Sequence, residues 1–506
     1  MKTDGRLLLG IDIGTTNIKT IAFDPTGNVV AQANMPTPTH YRATGWVYYD
    51  PDEIWQQVIG LIRDIVAQLD EPSRITSIGV ASYGETGVPI DEHGEPTYEA
   101  IAWFDSRTVP QAQWLESTIG LEPLFAVTGV ALQPILGLCK LLWLRDNEPA
   151  AFARSRVWLN MADYITYRLC GVPATDYSLA SRMSCMDLIG QQWATDLLTQ
   201  IGINPTILPP LLPGGTLLGP LRLAVATTTG LSPATQVAVG GHDHVCGALA
   251  LGVTRPGDLL NSIGTSEALF IPITQPILDP AYGRQGYTQG IHLAGDYYSF
   301  GGLYTSGAAV DWFRHNFAAA ATYASLIGEA EQVVAGSQGA FFLPHLRQSS
   351  PPHLDLTARG AFIGLAAEME RGVLFRALIE GLAYEMRYSL EPLLHHSGFT
   401  QPGTIFVSGG GAHNTLYNTV KASVLNHALT VVDVKETTAL GAAVLGGLGA
   451  GVYRNLAAAL QQIRYTQTIV KPVAADATRY AQSYQTVYRK LYEVLAPLHH
   501  AGQTPA

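Results

Sequence analysis

The stretch "LLLGIDIGTTNIKTIAFD" at residues 7–24 consists of two strand-like apolar runs joined by a turn of one glycine and two threonines. A carboxylate, Asp12, interrupts the first run just before the turn. A second version, "LLNSIGTSEALFI", occupies residues 259–271 with its own glycine and threonine at the turn. An ordinary hairpin accounts for either turn alone. Two copies in opposite halves of the chain indicate that the two turns act as a pair.

The length of the chain predicts two domains. At 506 residues it exceeds what one hydrophobic core normally holds, about 250–300 residues. Hydrophobic residues make up 47% and charged residues 14%, which favours large, ordered domains. The Pro- and Gly-containing segment "LGVTRPGD" at 251–258 precedes the second strand–turn–strand. We therefore predict an N-terminal domain over 1–253 and a C-terminal domain over 254–506.

Charge and cysteine usage exclude several classes of partner. The net charge of −11 argues against nucleic acid and anionic membranes as partners. The 4 cysteines show no CxxC spacing, so we expect free, buried thiols in a cytoplasmic protein. The apolar segment 439–453 is shorter than the roughly 20 residues of a membrane span. We interpret it as a small-residue helix packed closely against another element, in a soluble protein.

Local patterns predict an α/β protein with mixed sheets. Asp50 is a plausible N-cap for a helix over 50–69, and the tail from about 455 is predicted to be helical and to pack on the second domain. Strands are predicted at 7–13, 18–24, 28–34, 75–82, 236–241, 286–292 and 297–300 and in "TIFVSGGGA", with a second strand–turn–strand at 259–271 and further helices at 304–318 and from Asn414.

The glycine–threonine turns have the chemistry of phosphate-binding loops. Glycine lets a backbone approach a ligand closely, and threonine hydroxyls donate to phosphate oxygens. A buried carboxylate such as Asp12 needs a cation or hydrogen-bond donors. Hydrated Mg²⁺ accompanies phosphates and accepts carboxylate-plus-water ligation. The pattern thus indicates a metal-bound polyphosphate.

A third glycine loop, "VSGGGAHNTLYNTVKASVLN" at 407–426, runs from a strand into a helix and suits a nucleotide near Asn414. The chain contains no "GK" pair, which excludes a Walker A loop. The glycines at 446–451 do not open a βαβ unit, so a Rossmann site is disfavoured.

Asp243 is the candidate general base. It follows a buried strand in "VAVGGHDHVCGALALG", 237–252, and precedes a helix. A carboxylate there could accept the proton of a hydroxyl that attacks a phosphoryl group. Two alternatives remain: Asp243 as a helix N-cap, and His242 with His244 as zinc ligands lacking a nearby third ligand. A serine hydrolase is disfavoured because no G-x-S-x-G elbow is present.

Taken together, these segments resemble the FGGY carbohydrate kinases, a branch of the actin, Hsp70 and hexokinase superfamily. The resemblance runs over about 10–455. "GIDIGTTNIK" and "NSIGTSEAL" look like the two phosphate motifs, and "VSGGGAHNTLYNTVKA" with "ETTALGAAVLGGLGAG" like the adenosine motif and its following segment. "GWVYYDPDEIW", "AIAWFDSRT", "TDYSLASR" and "GGLYTSGAAVDWF" look like further family signatures.

The resemblance implies two ribonuclease-H-like domains, each a mixed sheet flanked by helices, around a central cleft. It implies Mg²⁺ and ATP as cofactor and substrate, Asp12 as the residue that holds the metal through water, and Asp243 as the catalytic base. The implied ATP-binding residues are Thr15, Thr16, Asn17, Lys19, Gly264, Thr265, Gly307, Asp311, Gly410, Gly411 and Asn414. It is also compatible with a homodimer.

The implied acceptor-binding residues are Glu85, Trp103, Asp105, Arg107 and His244, although Arg107 is equally well explained as an ion-paired structural residue. Glu85 falls where glycerol kinases have Glu, but Gly84, Ile135 and His244 replace their Arg, Tyr and Gln. The Met-His pair of xylulokinases is absent near 84–85. These departures argue against glycerol and give no support to xylulose.

We therefore expect an ATP-dependent kinase that phosphorylates a terminal hydroxyl of a small sugar, sugar acid or polyol. The alternatives are an Hsp70- or actin-like ATPase, which "GIDIGTTN" alone would fit, and a non-catalytic sugar-sensing homologue.

Overall fold

The computed structural model of the protein describes residues 5–434 and 436–502, so the extreme ends of the two predicted domains lie outside the described residues. The first of two large sheets is mixed and has the strand order β5-β6-β4-β1-β2-β3, with β7 paired to β4. Its strands are Leu7–Ile13 (β1), Asn17–Phe23 (β2), Val29–Pro36 (β3), Ile75–Ser82 (β4), Leu217–Pro220 (β5), Gln236–Ala238 (β6) and Gly241–His242 (β7).

The second large sheet is also mixed, with the order β10-β11-β9-β8-β12-β13-β14. Its strands are Leu259–Ile263 (β8), Glu267–Ile273 (β9), Thr288–Ile291 (β10), Tyr297–Leu303 (β11), Ile405–Ser408 (β12), Leu429–Asp433 (β13) and Thr466–Val470 (β14). Both sheets thus begin with an antiparallel pair closed by a glycine–threonine turn, as the repeated sequence predicts.

The helix predicted after the third strand is confirmed as Pro51–Gln68 (α1), and local chemistry explains where it begins. The Asp50 carboxylate accepts hydrogen bonds from the backbone N–H groups of Asp52 and Glu53, at 2.9 and 3.3 Å. Pro51 occupies the first turn, where a missing N–H costs nothing. The apolar face of α1 then packs on the first sheet.

Five further helices are used below: Asp243–Ala250 (α2), Gly307–Phe317 (α3), Arg371–His396 (α4), Thr415–Leu425 (α5) and Thr437–Gly449 (α6). The other α-helices are Val109–Thr118, Leu121–Thr128, Gly137–Asn147, Pro149–Arg154, Met161–Cys170, Tyr177–Ser181, Thr195–Gln200, Leu223–Thr229, Pro280–Arg284, Tyr323–Glu331, Leu456–Gln462, Ala474–Ser483 and Arg489–Ala501. Short strand pairs join His40–Tyr41, Val47–Tyr49 and Ala100–Ile101; Gly87–Ile90 and Val157–Asn160; Thr175–Asp176 and Leu211–Leu212; Met186–Asp187 and Gln192–Trp193; and Phe341–Leu343 and Ala361–Ile363. Within the described part of the chain, no helix has both the length and the apolar character needed to span a bilayer.

Helix α6 is the small-residue helix expected from the sequence, and it packs on the first sheet. A Cβ atom on Gly10 of β1 would lie 1.9 Å from the carbonyl oxygen of Ala439, and one on Gly79 of β4 would lie 1.9 Å from that of Ala442. Glycine at these two strand positions therefore permits backbone-to-backbone contact. A helix from the second half of the chain thus covers the sheet of the first half, while the boundary at 253/254 stays a prediction.

The tail differs in part from the prediction. Residues 466–470 form strand β14, which pairs antiparallel with β13 at the edge of the second sheet, so the tail is not helical throughout. The β-branched residues of "TQTIV" suit an edge strand, a signal that the helical reading overlooked. The packing prediction is confirmed, because Tyr480, Tyr484 and Tyr488 are buried against α4 in the core of the second half.

Candidate functional site

Three predicted parts of the site, one turn and two residues, meet at one edge of the first sheet. Strands β1, β4 and β7 run parallel, with Ile13 beside Ser82 and Ser82 beside His242. Their carboxyl ends therefore lie together, as do the segments that follow them. The first glycine–threonine turn follows β1, Glu85 follows β4, and Asp243 follows β7.

Asp12 lies next to this edge, one residue before the end of β1, and is half-buried. Surrounding protein and the charge of Asp243 raise the pKa of the Asp12 carboxyl to about 7, while Lys19 acts in the opposite direction. Lys19 itself forms an ion pair of 2.7 Å with Glu436. The hydrogen bonds described for residues 5–434 and 436–502 include none to the Asp12 carboxylate. An under-compensated carboxylate in this position suits a cation.

Asp243 is the first residue of α2, and His242 precedes it as the cap residue. The Oδ1 atom of Asp243 accepts a hydrogen bond of 2.6 Å from the backbone N–H of His244 and lies 3.3 Å from Nε2 of His242. Burial lowers the pKa of His242 to about 4, so this imidazole is neutral at pH 7. No third His, Cys, Asp or Glu joins the two histidines as a metal-holding group among the described residues.

A cavity of about 380 Å³ opens between the two sheets beside Asp243. Both glycine–threonine turns reach its wall, through Thr15 and Ser266 respectively. The first half of the chain also contributes Glu85, Trp103, Gln133, Arg182, Asp243 and His244, and the second half contributes Thr288, Tyr298, Phe300 and Pro351. The His244 ring packs against Phe300 across the cleft, with ring centroids 5.2 Å apart.

Glu85 and Arg182 form a buried ion pair in the cavity wall. Arg182 Nε lies 2.6 Å and Nη2 lies 2.5 Å from Glu85 Oε1. Arg182 Nη1 also donates to Thr288 Oγ1 of the second sheet at 2.8 Å, so the pair links the two halves. Glu85 has a φ of +63°, a left-handed conformation that costs energy for a non-glycine residue and is often found at functional sites.

The residues predicted around "AIAWFDSRT" separate into two groups. Trp103 lines the cavity and donates from Nε1 to Thr15 Oγ1 at 2.9 Å. Asp105 and Arg107 lie outside the cavity wall, in a buried ion pair of 3.0 Å that Glu99 extends. The Arg107 side chain is fully buried, which agrees with the interpretation of Arg107 as an ion-paired structural residue.

The predicted nucleotide residues of the second half come together at the carboxyl edge of the second sheet. Strands β8 and β12 are parallel neighbours, so the turn at Gly264 and the loop after β12 are adjacent. Gly307 donates its N–H to the Gly264 carbonyl at 3.0 Å, which places the start of α3 over the turn. A Cβ on Gly411 would lie 2.2 Å from the Ile263 side chain, whereas Gly410 faces open space.

Some predicted side chains already have structural partners. The Asn414 side chain caps α5 by accepting from the Tyr417 N–H at 3.0 Å. Asp311 is exposed on α3 and accepts a hydrogen bond from the Tyr323 hydroxyl. Asn17 accepts the Gly14 N–H through its backbone carbonyl, at 3.0 Å, and thereby closes the first turn.

Two family models match the chain. The N-terminal domain of the "FGGY family of carbohydrate kinases" matches residues 7–250, and the C-terminal domain matches residues 259–450. The chain belongs to the FGGY family of carbohydrate kinases. It is an ATP-dependent enzyme that phosphorylates an alcohol group of a carbohydrate, and the expected two-domain, actin-like ATPase fold is confirmed. Membership in this family replaces the Hsp70-like alternative.

Individual relatives support this assignment over nearly the full length of the chain. The xylulose kinase of Bacillus subtilis (strain 168) is 28% identical, with 96% of this chain and 97% of that protein covered. The L-fuculokinase of Escherichia coli O157:H7 is 29% identical, with 91% and 96% covered. The crystal structure of ligand-bound xylulose kinase from Lactobacillus acidophilus superposes with a TM-score of 0.90 at 23% identity, covering 98% of this chain and 100% of that one.

Sequence reasoning missed two features of this kinase. The first is Arg182, although it ends the quoted segment "TDYSLASR"; pairing with Glu85 requires a contact between residues 97 positions apart. The second is a buried cluster around Glu267, immediately after the second turn. Its carboxylate accepts from Asn261, Ser306, Tyr417 and Lys421 at 2.7–2.8 Å. The cluster thereby ties β8, β9, α5 and the start of α3 together.

Proposed function

We propose that Asp243 is the general base of this FGGY kinase. The observation that supports this role is the position of Asp243 in the wall of one cavity that both glycine–threonine turns also reach. An acceptor molecule in the cavity can therefore present a hydroxyl to Asp243 while phosphates lie at the turns. Positioning of this kind supplies much of the catalysis in phosphoryl transfer.

The proposed step balances as follows. The acceptor hydroxyl donates its proton to the Asp243 carboxylate as its oxygen attacks the γ-phosphorus of ATP. A new P–O bond forms, the bond between the γ-phosphorus and the bridging oxygen breaks, and ADP leaves. Burial lowers the pKa of His242 to about 4, so the imidazole beside Asp243 is uncharged at neutral pH and is a weak base. General-base assistance contributes about 10²- to 10⁴-fold.

Asp12 is the proposed holder of Mg²⁺. Its position at the carboxyl end of β1, its raised pKa and the nearby Asp243 fit a hydrated divalent cation. When bound, Mg²⁺ neutralises charge on the β- and γ-phosphate oxygens. Lys19 is held by Glu436 at 2.7 Å and lies near enough to Asp12 to affect its pKa. We assign Lys19 to the same phosphate region, with Thr15, Thr16 and Asn17 of the turn.

The second half is proposed to hold the nucleotide. Backbone N–H groups of the turn at Gly264 and Thr265 would contact phosphates, with Gly307 above the turn. Gly410 and Gly411 would lie along the nucleotide, because the absence of a side chain at Gly410 leaves open space there. Asn414 and Asp311 remain proposed contacts whose side chains would keep or exchange their present partners.

The test is an ADP-release assay over glycerol, erythritol, pentuloses, hexuloses and gluconate. We expect at least one acceptor to stimulate ADP release, and Asp243→Asn to lower kcat by about 10²-fold or more. Asp196→Asn is the matched control, because Asp196 is an exposed carboxylate in the first turn of another helix. Stimulated turnover that survives Asp243→Asn would refute the assignment. Turnover that no acceptor stimulates would favour the sugar-sensing alternative.

A further inference from the structure

The acceptor end of the cavity has an excess of negative charge. The charged side chains that line the cavity are Glu85, Asp243, Glu267 and Arg182, and Glu267 is already paired with Lys421 at 2.7 Å. Lys140 lies outside the lining of the cavity; its buried ammonium donates to the Ile135 carbonyl oxygen, and its charge interacts with that of Glu85. At neutral pH, with Lys421 compensating Glu267, the carboxylates of Glu85 and Asp243 face one guanidinium in the lining, and the neutral His242 adds no positive charge.

The positive charge of Arg182 is already compensated. Its Nε and Nη2 both contact Glu85 Oε1, at 2.6 and 2.5 Å, and Nη1 donates to Thr288. Glu85 is 6% exposed, so this pair is shielded from solvent. A carboxylate on an incoming acceptor would have to compete with Glu85 for Arg182 and would also approach Asp243. Like charges brought together in such a site cost several kcal/mol.

The same wall offers hydrogen-bonding groups that suit hydroxyls. Tyr298 Oη and His242 Nδ1 are buried and have no hydrogen-bond partner among the described residues. Burial raises the pKa of Tyr298 to about 12, so its hydroxyl stays neutral and can both donate and accept. Leaving buried polar groups without hydrogen-bond partners is unfavourable. Both residues line the cavity, but these two atoms are buried beneath its surface, so a ligand carrying several hydroxyls would satisfy them only after a shift of the wall.

We propose that the acceptor is an uncharged polyhydroxylated molecule, a ketose or polyol, and that the Glu85–Arg182 pair excludes sugar acids. This inference rests on the proposed kinase function of the same cavity. Glu85 is the specificity-determining residue, because its carboxylate both accepts from hydroxyls and neutralises the guanidinium that a sugar acid would need. Arg182 acts by orienting Glu85 and by joining the two halves through Thr288.

The experiment compares kcat/KM for uncharged acceptors with kcat/KM for D-gluconate at pH 7.5 and fixed salt. The uncharged set is glycerol, erythritol, D-xylulose, L-fuculose and D-fructose. We expect the best uncharged acceptor to exceed gluconate by about 100-fold or more, the ratio that a like-charge penalty of several kcal/mol produces.

The variant Glu85→Gln tests the mechanism of this exclusion. It leaves the Arg182 charge without its carboxylate partner. We therefore expect the ratio of kcat/KM for the uncharged acceptor to kcat/KM for gluconate to fall by at least about tenfold. Partial unfolding would lower kcat/KM for both acceptors by the same factor and leave the ratio unchanged. Glu329→Gln is the matched control, because Glu329 forms an ion pair with Arg371 on the surface. This control should leave the ratio unchanged.

Each outcome decides the matter. Gluconate turnover equal to or above that of every uncharged acceptor would overturn the inference while the kinase assignment stands. An unchanged ratio in Glu85→Gln would overturn the role of the ion pair. Absence of turnover with every acceptor, despite ATP binding, would overturn the proposed function and the inference with it.

Discussion

Replacing Lys421 by methionine should destabilise the second half of this kinase strongly. The side chains of Lys421 and Glu267 are both fully buried and lie 2.7 Å apart. Burial alone would raise the pKa of Glu267, but Lys421 and hydrogen bonds from Tyr417 and Asn261 outweigh it, and the pKa stays below its usual value. Breaking a buried pair costs about 3–5 kcal/mol. Because Asn261, Ser306 and Tyr417 would still donate to the carboxylate, we expect about 3 kcal/mol.

Thermal unfolding followed by calorimetry measures this loss. For a domain of this size, about 3 kcal/mol corresponds to a fall in Tm of about 6–12 °C. The double variant Glu267→Gln/Lys421→Met should recover much of the loss, since no unpaired charge then remains buried. Lys490→Met is the matched control: Lys490 is exposed on a helix and should change stability by less than about 0.5 kcal/mol.

The same variant should raise KM for ATP more than KM for the acceptor. Glu267 binds Ser306, the residue before Gly307, and Gly307 lies over the second glycine–threonine turn. Loosening the cluster therefore disturbs the proposed nucleotide site first. If Lys421→Met lowers Tm by less than about 2 °C, or if the double variant is less stable than Lys421→Met, the view that Lys421 compensates a buried charge is refuted.

Three further predictions concern other elements. Burial and a neighbouring carboxylate raise the pKa of Asp12 to about 7, so folded protein holds a proton that unfolded protein releases from about pH 4 upward. Stability without Mg²⁺ should therefore fall between pH 4 and 7, and Asp12→Asn should exceed wild type at pH 8 by at most about 4 kcal/mol in chemical denaturation. Gly10→Val should leave little folded protein in expression and circular-dichroism tests, because a Cβ there would lie 1.9 Å from a backbone carbonyl of α6; native-like yield would contradict this packing. Tyr492→Phe removes a 3.1 Å hydrogen bond to Asp355, in the 344–360 loop that carries the cavity-lining proline. In steady-state kinetics it should raise KM for the acceptor about 2- to 5-fold and leave KM for ATP unchanged, whereas equal changes in both would indicate a general loss of structure.

The predictable parts of the fold are those that depend on local sequence patterns. Strands on both sides of each glycine–threonine turn, and the helix capped by Asp50, depend on residues within a few positions of one another. The run of small residues at 439–453 predicted close packing, but it did not indicate which element the helix packs against. The strand at 466–470 was missed because an edge strand needs a neighbour to form, and that neighbour, β13, lies outside the segment.

The candidate site divides in the same way. Asp12 and Asp243 could be proposed from sequence because each interrupts or follows an apolar strand, where an unpaired carboxylate is costly. Asp105 and Arg107 looked equally polar in the sequence, and only the structure places them in a buried pair away from the cavity.

By itself, the amino-acid sequence determined the duplicated strand–turn–strand plan, because backbone freedom at glycine and alternation of apolar residues act over short distances. The kinase family followed from the resemblance of the sequence motifs, which the two family models confirm. Tertiary structure alone decided that Arg182 neutralises Glu85 and that Lys421 neutralises Glu267. The energy of a charge depends on what surrounds it in space, and those surroundings come from residues far apart along the chain.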